Sequence, residues 1–289
     1  MRDKVTIPAI KARKHGPKLT MVTAYDAPMA RIVDQADIDM ILVGDSLATT
    51  VLGQTDTLAA TVDIMIHHSA SVARANPRAL IVTDMPWLSY HVSREETIRN
   101  AGRLIREGKA EALKLEGGRK RLPMIEAILA AEIPVMGHLG LTPQSFHAMG
   151  GYRVQGKDLE AARELIADAK ALAQAGAFAL VLEGIPDVLA EIITQEIAIP
   201  TIGIGAGVHC DGQVLVFHDV LSFNPDPTGK QAKFVRQYAQ LAELATTALQ
   251  QYSADVQAGT FPADNETYHT NAEVARTLRV AINNPQHEQ

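Results

Sequence analysis

A chain of 289 residues is long for one average domain but ordinary for a single α/β barrel. Its 47% hydrophobic and 21% charged residues have the balance of a soluble globular protein, and a net charge of −6 argues against a nucleic-acid-binding surface. With one cysteine, Cys210, it has neither a disulfide framework nor a cysteine-based metal cluster.

In chain order, the opening MRDKVTIPAIKARKHGPK is basic but lacks the apolar core of a signal peptide. No apolar run reaches membrane-spanning length. The expectation is a soluble cytoplasmic protein with no membrane or nucleic-acid partner. Short apolar, β-branched runs then recur: LTMVTAY (19–25), DMILVGDS (39–46), ALIVTDMP (79–86), ALKLEGG (112–118), IPVMGHLG (133–140), ALVLEGI (179–185), IPTIGIGAG (199–207) and GQVLVFHD (212–219). Runs that stay apolar on both faces suit parallel strands covered by helices. Between them, 94–107 places Thr97, Ala101, Leu104 and Ile105 on one side of a helix, and 158–175 is Ala-rich with surface Glu and Lys. Eight such units give a (β/α)8 TIM barrel. An open doubly wound sheet would carry a glycine fingerprint after its first strand; here that strand ends in TAYD. The connection after Gly207 is short for a full unit. From about 228 a helical period runs to about 257, followed by a polar break at 261–273 and a 274–289 segment ending in NNPQHEQ, where mobility is expected. Residues 1–260 read as one barrel domain with its N-terminal segment and C-terminal helix, and 261–289 as an extension.

The segment EALKLEGG (111–118) sets Lys114 and Glu116 two apart on a strand, so both point to one face. Buried charge is costly unless something pairs with it. The other strands end in a similar way: Asp45 after the second, Asp84 on the third, His138 on the fifth and Glu183 on the sixth. Taken singly, Asp45 or Asp84 is as readily a helix cap or loop anchor. Taken together at the C-terminal ends of barrel strands, these groups converge on one mouth. The oxygen donors Asp45, Asp84 and Glu116 favour a hard cation, Mg2+ first. Lys114 beside them suits a substrate carboxylate.

Other signals are open. GIGAG (203–207) suits a phosphate cradle or close helix packing equally, and it lacks the βαβ setting of a dinucleotide fingerprint. His67 and His68 read as surface residues, Cys210 as buried, and His147 as a loop residue that either covers the mouth or is solvated.

Seven stretches occur in one order: TAYD (23–26), LVGDS (42–46), KLEGG (114–118), GHLGLTPQS (137–145), GGYRVQG (150–156), IGIGAG (202–207) and DGQVLV (211–216). In this set, covering roughly residues 5–260, the chain resembles the 3-methyl-2-oxobutanoate (ketopantoate) hydroxymethyltransferase family. The resemblance implies a phosphoenolpyruvate/pyruvate-type barrel. It also implies transfer of a one-carbon unit from 5,10-methylenetetrahydrofolate to 3-methyl-2-oxobutanoate, through a Mg-stabilised enolate. The product, 2-dehydropantoate, is committed to pantothenate and coenzyme A. Carried over by motif, the metal ligands would be Asp45, Asp84 and Glu116. Substrate would be held by Asp45, Ser46, Asp84, Lys114 and His138, and Glu183 would accept the proton. A homo-oligomer, a decamer, is implied as well. The pterin has no motif of its own, and loops 47–60 and 140–156 are candidates to cover the mouth. Ala48 stands where the family usually has Gly, Gly184 where it often has Cys or Ala, and the tail lacks an E-H-S-F-like ending. A Mg2+-dependent C–C lyase or phosphonopyruvate-type mutase on the same barrel, and a non-catalytic metabolite-binding barrel, are the alternatives.

Overall fold

Parallel strands that are apolar on both faces must be covered twice, and closing the sheet on itself makes one of the covers from the strands' own side chains. The computed structural model describes residues 3–224 and 231–283 and contains that closed sheet. Its strands are β1 (Leu19–Thr23), β2 (Met40–Val43), β3 (Leu80–Asp84), β4 (Ala112–Glu116), β5 (Val135–Gly140), β6 (Ala179–Glu183), β7 (Thr201–Ile204) and β8 (Gly212–Leu215). Each pairs in parallel with the next, and β8 returns to β1. Helices occupy most of the connections. They are α1 (Ile7–Lys11), α2 (Ala27–Gln35), α3 (Leu47–Thr50), α4 (Val62–Ala73), α5 (Arg94–Arg106), α6 (Leu122–Ala130), α7 (Phe146–Met149), α8 (Leu159–Ala175), α9 (Asp187–Glu196), α10 (Phe217–Val220), α11 (Leu241–Ala258) and α12 (Ala272–Asn283). Asp26, Thr61, Ser93 and Asp158 each accept a hydrogen bond from a backbone N–H of the first turn and so start α2, α4, α5 and α8. The β7–β8 connection, residues 205–211, has no helix.

Strand alternation divides the apolar residues between two cores. Met21, Met40, Val82, Ala112, Met136 and Val181 fill the barrel. Ile41, Ile81, Leu113, Leu115, Leu180 and Leu182 point outward and pack with Met65, Leu104, Ile128, Leu172 and Ile193 of the helices. Lys114 and Glu116 therefore share the inner face, as their spacing requires. Val5 and Ile10 join the inner cluster, and the Val5 N–H donates to Arg78 O just before β3 (2.8 Å). The N-terminal segment thus caps the bottom of the barrel and leaves the other end for chemistry.

Contacts divide the chain into two units, residues 1–239 and 240–289. The second unit contains α11, a short 3-10 turn at Asp264–Glu266 and α12; α11 buries no residue. Two details differ from the sequence expectation. Residues 231–240 are irregular, and helix begins only at Leu241. Phe234 lies against Gly205, and the Tyr238 N–H donates to Val220 O (2.8 Å), so tertiary contacts override the helical period there. A helix spans Ala272–Asn283, started by the Asn271 side chain accepting from Val274 N (2.9 Å). Beyond Asn283, the terminal stretch expected to be mobile lies outside the described residues. No described helix is long and apolar enough to cross a membrane.

Asp211, at the start of β8, ties the N-terminal segment to the sheet. It accepts from Lys14 Nζ (2.8 Å), His15 N (2.9 Å) and Thr201 N (2.9 Å). Burial pushes its carboxyl up, but Lys14 and the two backbone N–H donors outweigh burial and hold it below 3.8. Its stabilisation is complete above that value and is lost as pH falls through the lower, folded-state value. Asp211→Ala leaves the Lys14 ammonium with only the Thr194 carbonyl and should cost about 3 kcal/mol in urea denaturation at neutral pH. The gap between variant and wild type should shrink on acidification below about pH 4.

Candidate active site

At the C-terminal end of the barrel the inward positions turn from apolar to charged. Asp84 follows Val82 on β3, Lys114 and Glu116 follow Ala112 on β4, His138 follows Met136 on β5, and Glu183 follows Val181 on β6. Asp45 and Ser46 enter from the turn after β2, where a Cβ on Gly44 would lie 2.8 Å from Ser46 Oγ. Only glycine lets that turn fold so tightly. Every sequence-derived site residue lines one cavity of about 110 Å³. Most of its remaining wall, including Leu42, Val181, Ile204 and Val214, is apolar, and Thr23 is the polar exception. Asp45, Asp84, Lys114, Glu116 and His138 are all buried, and the Glu183 side chain is 16% exposed.

Neither aspartate caps a helix. Asp84 Oδ2 accepts from Asp45 N (3.1 Å), and Asp45 Oδ2 accepts from Gln144 Nε2 (2.8 Å). Lys114 Nζ stands 3.1 Å from Asp84 Oδ1 and 3.2 Å from His138 Nδ1. His138 Nε2 is 3.1 Å from Glu183 Oε2. Asp84 Oδ1 and His138 Nε2 are fully buried, and neither has a partner in hydrogen-bond alignment among the described residues. These two atoms are held by charge and await a better-aligned partner.

The electrostatics follow from this crowding. Burial, then repulsion from Asp84 and Glu116, pushes Asp45 well above the ordinary carboxylate range, and Lys114 and Gln144 offset only part of it. Burial raises Asp84 too, against the pull of Lys114. For Lys114 the balance reverses: burial disfavours the ammonium, but Asp84, Glu116 and Asp45 together outweigh it and raise its pKa, so it stays charged. His138 is depressed by burial and by Lys114, yet its bonds to Glu116 and Glu183 bring it up to about 9.

Gln144 is the residue that sequence reasoning missed. Its Nε2 also donates to Met85 O (3.0 Å), its backbone N–H donates to Glu116 Oε2 (3.0 Å), and its Oε1 accepts from Tyr90 OH (2.6 Å). One residue, through its side chain and its backbone N–H, thus locks the ends of β2, β3 and β4. It stands in GHLGLTPQS, but nothing in the sequence shows that a loop glutamine will be buried against carboxylates from two other strands. Tyr25, fully buried, is a second case: its hydroxyl meets Ser46 Oγ at 2.9 Å.

The loops proposed to cover the mouth meet there. The 3-10 turn Thr57–Ala59 lies against Pro143–Ser145. The loop after β5 is pinned at both ends to β6, by Leu141 N donating to Glu183 O (2.8 Å) and Gln155 N donating to Gly184 O (2.9 Å). Gly184 has φ +54°, a left-handed turn that a residue with a side chain would strain. Ala48 is fully buried in α3. GIGAG is occupied by protein: Cβ atoms at Gly205 and Gly207 would meet Phe234 at 2.7 Å and Asp187 at 2.6 Å. The close-packing alternative therefore holds and the phosphate cradle does not. Cys210 is buried and its thiol is pushed up by burial, and His147 and His67 are exposed.

The ketopantoate hydroxymethyltransferase family model matches residues 4–264. The chain belongs to this family. It is 54% identical over 276 residues to the 3-methyl-2-oxobutanoate hydroxymethyltransferase of Syntrophomonas wolfei, covering 95% of this chain and 99% of that protein. It is also 54% identical over 284 residues to the enzyme of the same name from Koribacter versatilis, covering 98% and 95%. Among solved structures, 2,3-dimethylmalate lyase of the PEP mutase/isocitrate lyase superfamily matches with TM-score 0.55 at 15% identity, over 98% of this chain and 100% of that one. Oxaloacetate acetylhydrolase with bound oxalate matches with TM-score 0.57 at 15% identity, over 97% and 95%. These two establish the barrel type and nothing of the chemistry.

Gln144→Leu would leave Asp45 Oδ2 without its partner and the Tyr90 hydroxyl with only the Glu116 backbone. It should cost about 2–3 kcal/mol in urea denaturation. Tyr90→Phe, which leaves the Asp45 bond in place, should cost less in the same measurement.

Proposed function

We propose that the chain transfers the one-carbon unit of 5,10-methylenetetrahydrofolate to 3-methyl-2-oxobutanoate, giving 2-dehydropantoate on the route to pantothenate. The observation that carries this is the single small cavity in which a buried ammonium, three carboxylates and Glu183 meet an apolar wall. A branched α-keto acid has matching parts, with an anionic head for Lys114 and Ser46 and an isopropyl group for Val181, Ile204 and Val214.

The site's donors fit a divalent cation in kind. They are oxygens, Asp84 Oδ1 is buried without an aligned partner, and three carboxylates, Asp45, Asp84 and Glu116, line the same cavity. Among the described residues no group of three or more His, Cys, Asp or Glu forms a ready-made chelate. A Mg2+ ion there would have to keep several waters and take oxygens from the substrate. Asp45, Asp84 and Glu116 would hold it. When bound, it would polarise the keto oxygen as a Lewis acid.

The chain's own groups do the rest. Lys114, held cationic by its acidic neighbours, sets positive charge where the enolate's negative charge gathers. Glu183, steadied by His138 at 3.1 Å, takes the C3 proton. Tyr25 aims Ser46 at the substrate head. The loops after β2 and β5 shield the enolate until its carbon bonds to the methylene carbon; both carbon–nitrogen bonds to folate break, the nitrogens take up protons, and one water supplies the hydroxyl oxygen of the product. The family resemblance adds a cytoplasmic homo-oligomer, a decamer. Sedimentation velocity should then give a mass several times that of one chain.

Proton exchange tests the reading without folate. With 3-methyl-2-oxobutanoate and Mg2+ in D2O, deuterium should enter C3, and Glu183→Gln should slow entry by about 100- to 10,000-fold. Exchange at the wild-type rate in that variant would remove Glu183 as the base. Asp84→Ala should raise the Mg2+ needed for half-maximal exchange at least about 100-fold, since the hydrogen-bond partners of ligands alone are worth 10- to 100-fold. An unchanged titration would take Asp84 out of the metal site.

A further inference from the structure

The 110 Å³ cavity has room for a small branched acid and none for a pterin, a benzoyl ring and a glutamate tail. A second cavity of about 440 Å³ lies beside it, within the range of about 300–1,000 Å³ usual for small-molecule sites. Glu116 lines both cavities, and Tyr90 and Gln144, its hydrogen-bonded neighbours, line the second. The two sites therefore share a wall at the reacting centre.

The far side of the second cavity is the run Arg119-Lys120-Arg121. Arg119 pairs with Asp168 (2.7 Å) and with Glu164, and Glu116 is the third acid on the lining. Lys120 and Arg121 have no carboxylate within ion-pair distance among the described residues. Arg121 instead lies over the Tyr90 ring, 6.0 Å from its centroid. The His91 ring packs on Tyr90 at 4.3 Å, and its Nδ1 is buried in the cavity wall with no partner among the described residues. Lys120 and Arg121, the two cations left without a carboxylate partner, and the Tyr90–His91 aromatic edge suit a ligand that carries both a carboxylate and a flat ring.

We infer that this cavity receives the p-aminobenzoyl-glutamate end of the folate co-substrate, with Lys120 and Arg121 pairing to carboxylates of its γ-glutamyl tail. The inference rests on the transferase function proposed above. From that position the pterin end of the molecule is directed past Glu116 toward the keto acid. Each partly exposed ion pair is weak, so the gain comes from several carboxylates and grows with tail length. It is also screened by salt.

The test compares KM for 5,10-methylenetetrahydrofolate with one and with three glutamates. The triglutamate should have the lower KM in the wild type, by about tenfold at low ionic strength. In Lys120→Ala/Arg121→Ala that ratio should fall to near one, and Arg121→Lys should retain most of it. A ratio unchanged in the double variant, or a wild-type ratio of one, overturns the assignment. Deuterium exchange into the keto acid by the wild-type protein is run in parallel. Its absence would bring down the transferase function itself, whereas exchange with an unaltered ratio would bring down only the folate subsite.

Discussion

Carboxylates cannot crowd one end of a closed barrel unless a cation stands among them. Lys114 is that cation. It is buried, its Nζ is 3.1 Å from Asp84, and Glu116 and Asp45 help to keep it protonated. Removing water from such a pair strengthens the attraction but carries a desolvation cost of several kcal/mol per ion. The strand that bears Lys114 and Glu116 contributes little to stability at those positions. What it gains is a strong local field in a cavity with room for one small anion.

The rest of the molecule holds that field in place. The barrel's lower interior is apolar, and Val5 and Ile10 of the N-terminal segment pack into it from below. Above it, Gln144 and Tyr90 bind carboxylates and backbone of separate strands into one network. Networks of this kind are rigid when every member is satisfied. Here the network is complete around Gln144 and incomplete at Asp84 Oδ1 and His138 Nε2, the two buried atoms that face the cavity. Rigidity thus belongs to the frame, and unmet bonding capacity to the place where a ligand belongs.

Two cavities share the end of β4. The inner one, about 110 Å³, is lined by the strand ends, and the outer one, about 440 Å³, opens beside the basic turn Arg119–Arg121; Glu116 lines both.

The barrel, its eight strands and the inward set Asp84, Lys114, Glu116, His138 and Glu183 could be read from the chain. Strand periodicity is local, and a period of two assigns each side chain to a face without knowledge of the partner strand. The same local rule misjudged residues 231–240, where Phe234 and Tyr238 make contacts with the barrel that outweigh helical propensity. It left Ala272–Asn283 without a helix. It had no means of choosing between a phosphate cradle and close packing at GIGAG, because that choice depends on Phe234 and Asp187, distant in sequence. Gln144, Tyr90 and Tyr25 were silent for the same reason. Sequence alone determined which residues face the barrel's centre, since alternation is a property of one strand. Only the tertiary structure decided which buried polar atoms find partners, because a hydrogen bond across strands exists only once the chain has brought its two ends together.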